Sequence, residues 1–411
     1  LNLPEDKTQA IVEPEFIDPP APPEKIIRSS LKESSQGKTI SEIIQSSKSD
    51  PSVTVSLEDH TRPVPTGPIV NVVTEELIER GVSKEDITFL IATGIHRDLK
   101  PTELEGLREI VGPEPEIVNH HAGVDSELTP VGELIYPDGT TKELSINRHL
   151  ASADISILTG DVEFHQLFGY GGGAKSVLPG TADAESVRFN HSLLDLKGAR
   201  SGNLKNPLRQ AAERAADKAD IDYSVNLVLN PDKEVVDCYS GDVHKSFNRA
   251  VGKIDEYYKV PFKKKTEFVI VEAGGYPKDI DLYQAQKALE NALKMAQPGA
   301  KIALIAKCPD GWGSKTFHRW VRETEEISDT ADRIQDNFVI GGHKAYIYAK
   351  ERNQAKLYLL SDLKENSHLR KIFCPISRKT LEKKAKSAES VSVLKLGSST
   401  LPMKSKKSTE T

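Results

Sequence analysis

Short apolar segments alternate with amphipathic helical segments along most of this chain. Strands are predicted at Ser52–Leu57, Asp86–Ala92 and Ala153–Thr159, and helices at Ile69–Arg80 and Thr102–Ile110. A strand followed by a helix, repeated several times, is typical of a parallel sheet covered by helices. The pattern therefore predicts an α/β fold.

A second series of the same kind begins after the basic stretch Lys263–Lys265. Its predicted elements are a helix from Tyr283 to Ala296 and strands at Glu267–Glu272, Lys301–Ala306, Phe338–Ile340, Lys356–Leu360 and Val391–Leu396. A chain of 411 residues has room for two or three domains. We predict two doubly wound, Rossmann-like domains, 1–262 and 263–403, with a disordered tail at 404–411. Ligands of such folds bind in crevices, so we expect the active site in the cleft between the domains.

Composition excludes several classes of partner. The net charge of −6 gives no basic surface for nucleic acid. No apolar run reaches the roughly 18 residues needed to cross a bilayer, and the acidic, proline-rich start of the chain does not resemble a signal peptide. The 3 cysteines are widely spaced and form no CxxC pair, which is typical of reduced thiols. We expect a cytoplasmic protein that binds neither nucleic acid nor membrane.

The stretch from Gly160 to His191 concentrates reactive side chains. It contains His165, a glycine-rich turn that includes Gly172 and Gly173, then Lys175 and finally His191. Glycines allow the backbone to approach a ligand closely. A lysine just beyond them can contact a phosphate or act as a covalent anchor, and the histidines can bind a metal or transfer protons. We predict the active site here.

Polar clusters also follow the predicted strands. DHTRP at residues 59–63 follows the first strand, TGIHR at 93–97 the second, and the segment leading to His165 the third. The carboxyl ends of parallel strands are where α/β folds build their sites. His96 and His165 could act as acid and base on opposite faces of a substrate carbon, as interconversion of mirror-image forms requires.

The residues alone leave other functions open. GYGGGAKS, residues 169–176, is similar to a phosphate-binding loop but has Ala174 where the second glycine belongs, so a nucleotide-binding module is one alternative. His96, His165 and His191 could instead form the zinc site of a hydrolase. Farther along, the segment from Tyr283 to Lys287 begins a predicted helix whose N-terminus would favour an anion.

Five motifs together resemble the nickel-dependent lactate racemase family. They are DHTRP, ATGIHR, EFHQLFGYGGGAKSVLPG, NHS at residues 190–192 and LYQAQKA, and they occur in the family's order between about Leu3 and Pro402. The resemblance implies two α/β domains with the site between them. It also implies racemisation or epimerisation of a 2-hydroxy acid by proton-coupled hydride transfer to a nickel-pincer cofactor.

The resemblance assigns a role to each matching residue. The cofactor, a pyridinium-3-thioamide-5-thiocarboxylic acid mononucleotide, would be linked covalently to Lys175, and its nickel would be bound by His191, in the square-planar geometry that Ni(II) accepts. His96 and His165 would be the acid–base pair. Asp59 and Arg62 would form the binding motif of the first domain, with Asp59 at the cofactor and Arg62 as the natural fork for a substrate carboxylate. The second domain would contribute three substrate-binding residues, Tyr283, Gln284 and Lys287. Such a cofactor further implies maturation enzymes as partners.

Two positions depart from the family's lactate enzyme. Ala174 stands where that enzyme has an arginine next to the anchoring lysine. Gly341, Gly342 or His343 lies where it has a tryptophan that helps to enclose the substrate. The expected substrate is therefore lactate or a related 2-hydroxy acid.

Overall fold

The chain forms two compact units. The computed structural model describes residues 1–34, 37–364 and 366–405. Phe16–Asp255 forms the N-terminal unit, and Leu1–Glu15 together with the chain from Glu256 onward forms the C-terminal unit.

The chain begins with β1 (Thr8–Val12), a strand of the C-terminal unit, and then enters the N-terminal unit. The elements of the N-terminal unit follow in chain order: α1 (Pro23–Glu33), α2 (Ile40–Ser46), β2 (Val53–Glu58), α3 (Thr66–Ile78), β3 (Ile87–Ala92), α4 (Pro101–Val111), β4 (Glu116–Asn119), β5 (Leu128–Ile135), β6 (Thr141–Asn147), α5 (Arg148–Ser152), β7 (Ile155–Asp161), β8 (Phe164–His165), β9 (Gly169–Tyr170), α6 (Ala184–Ser192), α7 (Pro207–Lys218), β10 (Tyr223–Leu229), β11 (Val235–Gly241) and α8 (Val243–Tyr258).

A six-stranded sheet in the order β11-β10-β7-β2-β3-β4 forms the centre of the N-terminal unit. All of its pairings are parallel except that of β10 with β11. Both faces of the sheet are covered, which is why its central strands are apolar throughout. Val55 of β2 packs in a core with α1 and α3, whereas Thr54 donates its hydroxyl to the carbonyl of His149 in α5 at 2.8 Å.

The strand order reverses between β2 and β7. From β2 the chain proceeds to β3 and β4 on one side, and it later returns through β7 to β10 on the other. Loops that leave the two central strands diverge at such a switch point, which opens a crevice at their carboxyl ends. Glu58 ends β2 and Asp161 ends β7, so the polar clusters predicted from the sequence follow these strands.

The C-terminal unit continues with the following elements: β12 (Lys259–Phe262), β13 (Thr266–Glu272), α9 (Leu282–Met295), β14 (Ala296–Ile305), α10 (Lys315–Glu323), α11 (Thr330–Asp336), α12 (Gly342–Gln354), β15 (Lys356–Leu360), α13 (Ser367–Arg370), β16 (Cys374–Pro375), α14 (Arg378–Ser387), β17 (Val391–Leu394) and β18 (Leu401–Lys404). Its parallel six-stranded sheet has the order β1-β17-β13-β14-β15-β16. One core cluster joins this sheet to α9 and α12, and another joins its other face to α14.

The predicted fold class is confirmed: both units are doubly wound α/β structures. The predicted strand at Phe338–Ile340 is wrong, because this segment is an irregular connection between α11 and α12. A short apolar run of this length does not by itself distinguish a strand from a buried connection.

The units differ from the predicted domains 1–262 and 263–403 at two places. The observed boundary falls after Asp255, and Leu1–Glu15 belongs to the C-terminal unit, because β1 pairs in parallel with β17. Of the predicted tail 404–411, Lys404 ends β18, and residues 406–411 lie outside the described residues. In the part of the chain that is described, no helix is long and apolar enough to cross a membrane.

Replacing Gly172 with alanine should destabilise the N-terminal unit. Gly172 has a φ of +79°, and an added Cβ would lie 2.6 Å from the carbonyl oxygen of Asp161. Backbone strain plus this collision should cost about 1–3 kcal/mol or more, seen as a lower urea midpoint by circular dichroism.

Gly139→Ala is the matched control, since Gly139 has a φ of +86° but nothing within 4 Å of an added Cβ. Equal losses of stability in both variants would contradict the proposed collision.

Candidate active site

Asp59 joins the first two polar clusters. It follows β2, and its Oδ2 lies 2.6 Å from Nδ1 of His96, which follows β3. Its Oδ1 accepts hydrogen bonds from the backbone N–H and hydroxyl of Thr61 at 2.9 and 2.6 Å. Burial opposes ionisation of Asp59, but His96, Arg62 and Thr61 outweigh it and hold its pKa below the ordinary value. Because the carboxylate is ionised, His96 donates through Nδ1 and keeps Nε2 available as a base.

Arg62 connects the first cluster to the third. Its Nη1 donates to Oε1 of Glu163 at 3.1 Å, and both side chains are largely buried. Burial would lower the pKa of Arg62, but Glu163 and the other nearby carboxylates raise it. The guanidinium is therefore a fixed positive charge that retains further N–H groups for a carboxylate.

His165 has the opposite hydrogen-bonding pattern from His96. Its Nδ1 accepts hydrogen bonds from the backbone N–H groups of Leu167 and Phe168, each at 3.2 Å. The side chain is buried, with 8% of its surface exposed. An Nδ1 that accepts hydrogen bonds leaves the ring proton on Nε2, so His165 offers a donor where His96 offers an acceptor.

The glycine-rich turn packs against the protein itself. A Cβ on Gly173 would lie 2.9 Å from the ring of Phe247 and 3.0 Å from Arg209, and the buried Arg209 donates to the carbonyl of Gly172 at 2.7 Å. The segment Gly173–Ser176 is a short 3-10 helix. A phosphate-binding loop instead leads from a strand into an α-helix, so the fold does not favour the nucleotide-binding alternative.

Lys175 is partly buried, with its Nζ 5.4 Å from the centre of the Phe168 ring. Burial, followed by the positive charge of Arg62, lowers its pKa to about 7, although Glu58, Asp59 and Glu163 oppose the shift. A substantial fraction of the amine is thus uncharged at neutral pH, as a nucleophilic lysine requires.

Phe168 unites the third cluster. Besides Lys175, its fully buried ring packs edge to face against the imidazole rings of His165 and His191. The ring centres are 5.4 Å apart for His165 and 5.5 Å apart for His191. His191 lies in α6 and pairs its Nδ1 with the carbonyl oxygen of Val187 at 2.9 Å. A histidine that donates through Nδ1 has Nε2 available to bind a metal, and such a partner also fixes the ring.

The histidines do not form a zinc site. Among residues 1–34, 37–364 and 366–405, no three His, Cys, Asp or Glu side chains are grouped so that they could hold a metal ion. The zinc hydrolase built on His96, His165 and His191 therefore has no support.

The predicted substrate residues of the C-terminal unit begin α9. Asp281 caps this helix by accepting from the backbone N–H of Gln284 at 2.7 Å, and Tyr283 and Lys287 lie within the helix. The ring of Tyr283 contacts His343 edge to face at 5.9 Å. The predicted cleft between the domains stays a prediction.

A buried polar chain lies next to Tyr283. Lys344 Nζ is 4.8 Å from the centre of the Tyr283 ring and donates to Gln286 at 2.7 Å. Gln286 in turn donates to Glu351 at 2.6 Å. Burial lowers the pKa of Lys344 to about 8 and raises that of Glu351 well above its ordinary value.

Sequence reasoning missed several residues of this site. Phe168 has no reactive group, Arg209 lies outside the predicted motifs, and the sequence gives no separate role to Glu58, Glu163 or Lys344. Glu58 could have been noticed because it directly precedes the DHTRP motif, and Glu163 because it begins the EFHQLF segment, two residues before His165. Nothing in the sequence distinguishes Lys344 from a solvated helix residue.

Comparison with known proteins agrees with this arrangement. Residues 1–202 match the lactate racemase N-terminal domain family, and residues 262–394 match the lactate racemase C-terminal domain family. The chain is 28% identical over 376 residues to the lactate racemase of Thermoanaerobacterium thermosaccharolyticum, covering 90% of this chain and 86% of that protein. It is 32% identical over 287 residues to the lactate racemase of Lactiplantibacillus plantarum, covering 68% of this chain and 66% of that protein.

Solved structures share the fold. The lactate racemase apoprotein from T. thermosaccharolyticum superposes with a TM-score of 0.88 at 25% identity, over 98% of this chain and 97% of that one. A protein from Thermotoga maritima shares the fold with a TM-score of 0.70 at 17% identity, over 95% of this chain and 100% of that one.

The matched domain families and the similar lactate racemases define an enzyme of the isomerase class. The chain belongs to the lactate racemase family, and its activity is that of a racemase.

The two candidate acid–base histidines should be opposite tautomers. In apo protein labelled with ¹⁵N-histidine, long-range ¹H–¹⁵N spectra near neutral pH should show His96 protonated at Nδ1 and His165 at Nε2. Asp59→Asn should alter the His96 signals alone. The same tautomer at both residues would contradict the hydrogen bonds described above.

Lys175 should react with acetic anhydride at unusually low pH. Below its pKa of about 7 the amine is protonated and unreactive, and above it the amine is a nucleophile. Acetylation of the peptide carrying Lys175, followed by mass spectrometry, should be half-maximal near pH 7. A lysine in an added reference peptide should require a pH near its ordinary pKa of about 10.4. Coincident profiles would exclude a lowered pKa.

Proposed function

We propose that this protein racemises or epimerises a 2-hydroxy acid, lactate or a close relative, with a nickel-pincer cofactor linked to Lys175. The observation that carries the proposal is the contact of Lys175, His165 and His191 with one buried ring, that of Phe168. The proposed anchor, metal ligand and acid–base residue thereby meet in one place. The lactate racemases named above support lactate as the first substrate to test.

The residues present fit such a cofactor. Lys175 offers an amine of lowered pKa for the covalent link, and His191 offers one imidazole nitrogen to nickel. When bound, the pyridinium ring would accept the hydride that leaves the α-carbon of the substrate. Maturation enzymes are the partners that would supply this cofactor.

The histidines would transfer the proton of the substrate hydroxyl. His96 is held by Asp59 with Nε2 ready to accept a proton, and the carboxylate stabilises the imidazolium that forms. His165, whose Nδ1 is held by two backbone N–H groups, would exchange protons through Nε2 once that ring is protonated, and would return one to the oxygen. In the reverse direction the two exchange roles.

The remaining predicted residues would bind the substrate. Arg62 is held in place by Glu163 and would bind the carboxylate. Tyr283, Gln284 and Lys287 of the C-terminal unit would contribute further polar contacts.

Mass spectrometry of the intact protein tests the cofactor. After co-expression with cofactor-maturation enzymes, we expect an added mass on the Lys175 peptide and one nickel per chain. His191→Ala should keep the adduct and lose nickel, whereas Lys175→Ala should lose both. Active protein with neither adduct nor nickel would overturn the proposal.

Loss of either acid–base histidine should slow both directions of reaction. His96→Ala and His165→Ala should each lower kcat by ~10²-fold or more, since general acid–base catalysis contributes that much. Polarimetry with single enantiomers of several 2-hydroxy acids measures both directions and identifies the substrate. The control is His244→Ala, whose imidazole pairs with Asp217 on the surface and whose loss should leave the rates unchanged.

A further inference from the structure

A buried lysine of the C-terminal unit has no part in the proposed reaction. Lys344 lies in the first turn of α12, and 1% of its surface is exposed. Its Nζ donates a hydrogen bond to Oε1 of Gln286 at 2.7 Å. Among the described residues it forms no ion pair, so no bonded carboxylate neutralises its charge. An apolar side chain of similar size would be less costly to bury here, which points to a role other than stability.

The same amine lies over the ring of Tyr283. Nζ of Lys344 is 4.8 Å from the centre of that ring, within the range at which a cation is attracted to an aromatic face. Burial lowers the pKa of Lys344 to about 8, so the ammonium form still predominates at pH 7. His343, the preceding residue of α12, packs edge to face against the same ring, with ring centres 5.9 Å apart. Two successive side chains of α12 thus contact Tyr283.

Further contacts fix the start of α9 against α12. Gln286, which is fully buried, donates to Oε1 of Glu351 at 2.6 Å. The hydroxyl of Tyr348 donates to the carbonyl of Leu282 at 2.7 Å. The hydrogen bond from Lys344 to Gln286 adds to these contacts, so the first turn of α9 is held by several side chains of one helix.

The turn that carries Lys344 is itself tightly packed. An added Cβ on Gly342 would lie 2.6 Å from the indole ring of Trp320. Gly341 has a φ of +90°, and its N–H donates to Nδ1 of His343 at 3.2 Å. The backbone at Lys344 is therefore fixed, and a side chain that positions another residue needs such a rigid support.

We propose that Lys344 is a positioning residue for substrate binding: its ammonium holds the ring of Tyr283 and the first turn of α9 in the arrangement that contacts the 2-hydroxy acid. The inference rests on the proposed function, in which Tyr283 binds the substrate. Lys344 acts through Tyr283 and does not itself touch substrate or cofactor. Its loss should therefore weaken substrate binding and leave the chemical step in place.

Hydrogen–deuterium exchange of the apo protein tests the contact without a cofactor. Lys344→Met keeps an unbranched side chain and removes the charge, so exchange should become faster in the peptide that carries residues 282–290. Lys384→Met is the matched control, because Nζ of Lys384 lies 4.9 Å from the ring centre of Tyr358. This control should leave the same peptide at the wild-type rate. Unchanged exchange in Lys344→Met would overturn the proposal.

Two substitutions of Tyr283 test the same contact with Lys344 in place, should Lys344→Met fold poorly. Tyr283→Phe keeps a ring beneath the ammonium, whereas Tyr283→Leu removes it. The peptide 282–290 should therefore exchange more slowly in Tyr283→Phe than in Tyr283→Leu. Near-ultraviolet circular dichroism confirms folding of each variant. Equal exchange in the two variants would show that ring and ammonium are not coupled, against the proposal.

Steady-state kinetics of the cofactor-loaded enzyme test the role in binding. Lys344→Met should raise KM for the 2-hydroxy acid about tenfold, as expected for the loss of a desolvated cation–π contact. The value of kcat should change little, because an interaction that is equally strong in bound substrate and transition state affects KM alone. Lys384→Met should match the wild type. An unchanged KM, or a loss confined to kcat, would contradict the inference.

A double-mutant cycle shows whether Lys344 acts through Tyr283. In the Tyr283→Leu background, Lys344→Met should have little further effect on KM, since the ring that it holds is gone. A purely structural role would raise KM by the same factor in both backgrounds, and that result would overturn the proposal.

The positioning role and the proposed function can fail separately. Faster exchange in Lys344→Met together with an unchanged KM would refute the positioning role and leave the proposed function intact. If wild-type protein carrying both adduct and nickel racemised no 2-hydroxy acid, the proposed function would fail, and with it the role of Lys344 in binding. The exchange results would then describe a contact of the fold alone.

Discussion

The parallel pairing of β2 with β7 determines where the first and third polar clusters of the N-terminal unit lie. After β2 the chain turns to one side of the sheet, and after β7 it turns to the other. The loop after β2 carries Asp59 and Arg62, and the loop after β7 carries Glu163 and leads to His165. Gly160 allows the pairing to coexist with a glutamate at the end of β2. A larger side chain there would displace that carboxyl group and with it the charges around Lys175.

Phe168 adds a second constraint, one of shape. Its ring fixes the separation of Lys175, His165 and His191 without taking part in any chemistry. The glycines beside it serve the same end, because they let the turn pack against Asp161, Phe247 and Arg209. Glycine-rich segments at functional sites are easily taken for ligand-binding loops, but here packing within the protein is enough to require Gly172 and Gly173.

Much of the fold followed from the sequence, because buried parallel strands are continuous apolar runs with a strong local signal. Strands such as Ile87–Ala92 were predicted to within a residue or two. The irregular connection at Phe338–Ile340 was not predicted, since its apolar residues do not form the hydrogen bonds of a β-strand. The histidines and Lys175 could be found by residue type, whereas the position of Glu58 beside Asp161 depends on strand register and the Lys344–Gln286–Glu351 chain on packing between helices. No short motif encodes either.

The assignment of β1 to the C-terminal unit has a consequence for biosynthesis. Its partner β17 follows every other strand of this sheet along the chain, so β1 gains its pairing contact only after all the residues between the two strands have been made. A fragment that starts at Glu256 would leave the open side of β17 exposed, and unpaired strand edges invite aggregation. The C-terminal unit is thus made of two separate segments of the chain, and the whole N-terminal unit is synthesised between them.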